Sequence, residues 1–109
     1  ASYLTVSQQF SLNVACAPVA KVFGYGVYQV GSSLERKDFR DVDLRCIMPN
    51  DEFDKMFFDD PHGKKLRFLN VAVSDWIAAR TGLPIDFQFQ REAEANAEFT
   101  GQRNAVGII

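Results

Sequence analysis

Polar and apolar residues alternate over two stretches of the chain, and each stretch carries aspartate on its polar side. Between Asp41 and Met48, residues Val42, Leu44 and Cys46 fall on one side of an extended backbone, with Asp41, Asp43 and Arg45 on the other. From Pro84 to Gln90, Ile85, Phe87 and Phe89 alternate with Asp86, Gln88 and Gln90. Both patterns predict strands with one face in a core and one face polar. An earlier strand is predicted over residues 25–31, Tyr-Gly-Val-Tyr-Gln-Val-Gly, where aromatic and β-branched residues are bounded by glycine. It ends at Gly31, and Ser32 and Ser33 begin a turn.

Helical spacing fills most of the remainder. Leu12, Ala15, Val19, Val22 and Phe23 predict an amphipathic helix over residues 8–23 with a stop at Gly24, and Pro18 inside it predicts a bend or a split at Ala17. Asp51 is expected to cap a short helix running to Phe58. Asp59 to Gly63 reads as an exposed loop holding His62, the single histidine. Leu66, Leu69, Val73, Trp76 and Ile77 define a second long helix from Lys64 to near Gly82. Residues 91–98 have helical propensity with a weak apolar stripe, and residues 101–107 read as a loosely ordered tail. The order of elements predicts an α+β fold: a small mixed sheet of about three strands, helices packed on one face, and the aspartates on the other.

Composition narrows this further. The chain has 109 residues, 47% of them apolar, including ten phenylalanines, which predicts one globular domain over residues 1–109 with no room for a second. No stretch approaches the length of a membrane span, and the N-terminus lacks a basic region followed by an apolar run, so a cytoplasmic location and no membrane partner are expected. Cys16 and Cys46 have apolar neighbours and are expected to be buried, reduced thiols. A net charge of −2 argues against holding nucleic acid by bulk electrostatics.

The candidate chemistry lies in the acids. Carboxylates two positions apart on a strand sit roughly 6.5 Å from each other, about 2.5 kcal/mol of repulsion at an effective dielectric near 20. A third acid, Asp86, would roughly triple that cost. Mg²⁺ suits such a position because it takes one or two carboxylates, keeps waters and completes its shell with phosphate oxygens. Arg36 and Lys37 follow the turn, and Arg40 and Arg45 flank the aspartates, so cations are at hand for a polyphosphate. The stretch from Glu35 to Arg45 balances four acids against four bases, which equally describes a mixed-sign surface loop.

Taken together, Val-Gly31-Ser32, Asp41-Val-Asp43-Leu and Ile-Asp86-Phe resemble the signature of the DNA polymerase β-like nucleotidyltransferase superfamily, of the minimal type, over roughly residues 8–90. The resemblance implies a nucleotidyltransferase-like domain that moves a nucleoside monophosphate from an NTP to a hydroxyl on a small molecule, a protein or RNA. It implies Asp41, Asp43 and Asp86 as catalytic metal ligands for two Mg²⁺ (or Mn²⁺) ions with bound NTP. Asp41 and Asp43 would hold the ion on the triphosphate, and Asp43 and Asp86 the one that activates the acceptor. Gly31, Ser32, Ser33, Arg36, Lys37 and Arg45 would contact the nucleotide. The stretch between Ser32 and Asp41 is shorter than in many minimal members.

Two other functions fit the same residues. One is an antitoxin-like or regulatory binding module, since minimal members of the superfamily pair with helical toxins of the HEPN family; a protein partner or a homo-oligomer would complete so small a domain. The other is a degenerate nucleotide binder that retains affinity without turnover.

Overall fold

The computed structural model describes residues 2–108 as four α-helices and one four-stranded sheet. In chain order the elements are α1 (Val6–Phe23), β1 (Val27–Val30), a 3₁₀ turn (Gly31–Leu34), β2 (Val42–Met48), α2 (Asn50–Met56), α3 (Lys64–Thr81), β3 (Ile85–Arg91), α4 (Glu92–Glu98) and β4 (Asn104–Val106). The sheet runs β3-β2-β1-β4; β1 is antiparallel to both neighbours, and β2 and β3 are parallel. The fold is therefore α+β with a mixed sheet, as expected, but the sheet has four strands and not about three.

The added strand lies in the segment expected to be a loose tail. Asn104–Val106 pairs with β1, Val106 enters the core, and the N–H of Gly107 donates to Asn13 Oδ1 at 2.9 Å. Gly107 has φ +78, and a Cβ there would lie 2.9 Å from the backbone of Cys16 on α1. Only glycine lets the chain pass that close to the helix.

α1 starts at Val6, two residues earlier than its apolar spacing predicts, because Thr5 and Gln8 form a reciprocal cap: Gln8 N–H donates to Thr5 Oγ1 and Thr5 N–H to Gln8 Oε1. It continues through Pro18 as one helix and is not split at Ala17; Pro18 lies on the exposed side, where the missing N–H is least costly. α2 is preceded by Pro49, so Asp51 sits in its first turn and does not cap it. Asp60, expected to be a plain loop residue, serves α3: its carboxylate accepts the N–H groups of Lys65 and Leu66 at 3.1 and 2.9 Å. Those bonds, Leu66 first, hold its carboxyl below the usual range.

α1 and α3 cover the face that carries Val27, Leu44, Cys46, Phe87 and Phe89, and the core forms between these layers. Phe23 and Phe87 each meet Phe89 edge-on, at centroid distances of 4.8 and 5.1 Å. Cys16 and Cys46 are free and buried in this core, where desolvation pushes both thiols up to about 12. Not every helix lies on that face. α4 packs against the far end of the polar one, with Ala95 buried and Glu98 accepting from Gln90 Nε2. No helix among the described residues is long and apolar enough to cross a membrane.

Candidate functional site

Sheet register brings the three sequence motifs to one place. Val30, the last residue of β1, is opposite Asp43 on β2, and Asp43 is opposite Asp86 on β3. Because β2 and β3 are parallel and in register, the two aspartates point to the same side on strands about 4.8 Å apart. Asp86 is among the groups that raise the Asp43 carboxyl.

The turn after β1 closes the third side. Gly31 adopts φ +76, and a Cβ there would sit 2.6 Å from Asp43 Oδ2. The residue must be glycine on two counts: the left-handed backbone, and the carboxylate lying against its Cα. A glycine required at a turn is legible in sequence; the acid that fills the space it leaves is a property of the fold.

Electrostatically the pair is unresolved. Asp43 is raised to about 6, first by desolvation and then by Asp86 and Asp41, with Arg45 pulling in the opposite direction. Asp86 accepts from Gln88 Nε2 at 3.3 Å and meets Arg45 Nη2 at 3.6 Å. Asp41 precedes β2 and is exposed at the rim.

Arg45 is the residue whose role differs most from the one expected. Only 5% of it is exposed. Its Nη1 donates to the carbonyls of Leu44 and Asp86, both at 2.9 Å, and its guanidinium lies 5.4 Å from the centre of the Phe99 ring. Arg45 therefore grips β3 and Asp86 from beneath and does not reach outward toward a phosphate. Its Nε is buried without a partner among the described residues. Phe99 was not foreseeable from the strand pattern, because it comes from the segment after α4, remote in sequence.

Ser33 also turns inward. It is fully buried and its hydroxyl accepts from Gln29 Nε2 at 2.9 Å, so it braces the turn and is not open to a nucleotide. Ser32 stays at the half-buried mouth, its carbonyl accepting the N–H groups of Glu35 and Arg36. Arg36 and Lys37 are exposed beyond it, and Arg36 pairs with Asp38 at 3.6 Å. Arg40 is exposed as well, and His62 lies in an exposed loop. Beside Asp86, an open groove of about 410 Å³ runs along the β3 edge between Gln88 and the α3 side chains Arg67, Asn70 and Asp75.

The donor chemistry of Asp43 and Asp86 fits a hard divalent cation, which would separate two abutting carboxylates and take its other ligands from water and phosphate. A group of three or more His, Cys, Asp or Glu side chains gathered tightly enough to hold a metal is not found among the described residues. The acids converge as a pair with Asp41 at the rim.

No protein-family model, curated protein or solved structure matches the chain. The class defined by its own topology is an α+β domain whose mixed sheet carries a carboxylate pair against a glycine turn.

Proposed function

We propose that this domain is a metal-dependent nucleotidyltransferase of the DNA polymerase β-like minimal type, moving a nucleoside monophosphate from an NTP to a hydroxyl acceptor. The observation that carries this reading is the meeting of Gly31, Asp43 and Asp86 at adjacent positions on β1, β2 and β3. The Gly31-Ser32 turn lies where a triphosphate would approach Asp43, and the groove along β3 leads an acceptor to Asp86.

Asp43 and Asp86, with Asp41 at the rim, would hold Mg²⁺ or Mn²⁺, which when bound supplies neutralisation of the triphosphate and acidifies the acceptor hydroxyl. The residues do the rest. The acceptor oxygen forms its bond to the α-phosphorus as the bond to the bridging oxygen breaks, and that oxygen leaves with its electron pair in pyrophosphate. The hydroxyl proton passes to the Asp86 carboxylate, which faces the groove. Arg45 holds Asp86 in place through two contacts on the same residue, one to its carbonyl and one to its carboxylate.

The direct test is transfer of α-labelled NTP to a panel of hydroxyl acceptors with Mg²⁺ or Mn²⁺. Wild type labels one acceptor class, and Asp43→Asn and Asp86→Asn remove labelling while circular dichroism stays unchanged; labelling that survives both substitutions contradicts the reading. A nucleotide binder without turnover is the second reading, favoured by the inward orientation of Ser33 and Arg45, which leaves fewer groups to grip a triphosphate. Calorimetric binding of a non-hydrolysable NTP without transfer to any acceptor would select it.

A further inference from the structure

The outer side of the helix layer is apolar where a two-layer domain ordinarily carries charge. Val6, Phe10, Val14, Pro18 and Val22 recur every four residues along α1 as one exposed ridge, with Val6 at 90%, Phe10 at 68% and Val22 at 75% exposure. In its 18 residues α1 carries one charged side chain, Lys21. Alongside the ridge, α3 runs antiparallel and contributes Ala72 and Trp76. Between the helices lie two adjoining hollows: one of about 350 Å³ beside Pro18, Val22, Ala72 and Trp76, and one of about 480 Å³ beside Phe10, Val14 and Arg80.

The ridge is self-complementary about Val14. Four residues before it stands an aromatic knob, Phe10; four residues after it stands Pro18, at the mouth of an apolar hollow. A two-fold axis at Val14 brings each Phe10 to the partner copy's hollow and each Val6 toward the partner's Val22, so one patch supplies both halves of an isologous contact. Rows spaced by four residues are also the rows that interdigitate in the commonest class of helix crossing. Charge does not oppose the arrangement. Lys21 falls across from Ser7, and Arg80 is held on its own chain, stacked 3.6 Å from the centre of Trp76 and donating to the Trp76 carbonyl.

Val6, Phe10, Val14 and Val22 alone leave roughly 450 Å² open per copy, and Pro18, Ala72 and Trp76 at the hollows add to it, which is the size of a small, weak dimer interface.

We propose that this face is the interface of a homodimer in which two α1 helices cross antiparallel at Val14, each Phe10 seated in the other copy's Pro18–Trp76 hollow. The carboxylate pair lies on the opposite face of the sheet and stays open in the dimer. The dimer is therefore independent of the proposed transfer reaction.

Sedimentation equilibrium of the 109-residue chain, from about 1 to about 200 μM, detects a dimer of micromolar or tighter affinity. Wild type approaches twice the monomer mass at the upper end. Val14→Glu and Phe10→Glu, both at exposed positions, stay monomeric at every concentration and melt where dilute wild type does. Val14→Cys under mild oxidation forms a covalent dimer whereas Asp75→Cys, away from the ridge, does not; the native thiols are buried and contribute no background. A wild type that remains monomeric, alone or in complex with a different protein, overturns the proposal. So does a dimer that survives Val14→Glu, or one in which Val14→Cys fails to cross-link.

Discussion

The two faces of the central sheet treat buried polarity in opposite ways. On the helix-covered face, Gln29 is fully buried, and each of its hydrogen-bonding groups is met: it donates to Ser2 Oγ and Ser33 Oγ and accepts from Gln9 and Asn104, at 2.9 to 3.3 Å. These four partners tie the N-terminal segment, α1, the Gly31–Leu34 turn and β4 to one side chain. On the other face, Asp43 and Asp86 stand opposite each other, Arg45 pairs with Asp86 at 3.6 Å, and Arg45 Nε has no partner among the described residues. Around Gln29 one buried atom, Gln9 Oε1, lacks a partner among the described residues, but a network whose central side chain is fully met stabilises a fold. An open, repulsive one costs the fold something and would be relieved by a bound cation.

The largest expected effect comes from breaking the closed network. Gln29→Leu keeps the volume but leaves four buried or half-buried partners unmatched, a loss of about 2–4 kcal/mol that lowers Tm by about 10 °C or more. Thermal melting checks this, and the same variant should keep its response to Mg²⁺. Gly31→Ala comes next, because it touches both sides of the comparison. The left-handed backbone costs about 1–2 kcal/mol, and the added Cβ turns Asp43 away from Asp86, so a modest fall in Tm should accompany complete loss of the proposed transfer.

Asp43→Asn acts on stability with the opposite sign. The folded protein holds the Asp43 proton up to about pH 6, against 3.8 for an ordinary carboxyl. The stabilising proton is fully bound below pH ~3 in folded and unfolded chains alike, and its advantage is lost as pH rises through 6. Asparagine mimics the protonated form, so the variant should melt higher than wild type near neutral pH and level with it below pH ~3. Melting curves across that range give the answer, and a variant that melts lower at neutral pH would mean that the ionised carboxylate supports the fold.

Legibility in the sequence follows the same division. The strands bearing Asp43 and Asp86 are readable because a period of two residues separates their faces, and α3 because its apolar spacing is sustained from Leu66 to Ile77. β4 is not readable: three residues, Asn-Ala-Val, bury one side chain and hold their place through pairing with β1, the Asn104–Gln29 hydrogen bond and the close approach of Gly107 to α1. Ser33 and Arg45 show a different gap. Their residue types suggested phosphate contacts, but the direction of a turn hydroxyl depends on Gln29 beneath it, and that of the guanidinium on Phe99, which returns from beyond α4. Asp60 was hidden in the same way, since its capping role depends on where α3 begins.

The claim on which the functional account rests is that the Asp43–Asp86 pair is a cation site held open by the fold. Carbon-detected NMR titration of the Asp43 carboxyl, with and without Mg²⁺, tests it most directly. The account predicts titration at about 6 in the absence of the ion and displacement to below the ordinary value of ~4 when it is bound. A titration midpoint that saturating Mg²⁺ or Mn²⁺ does not move would contradict it.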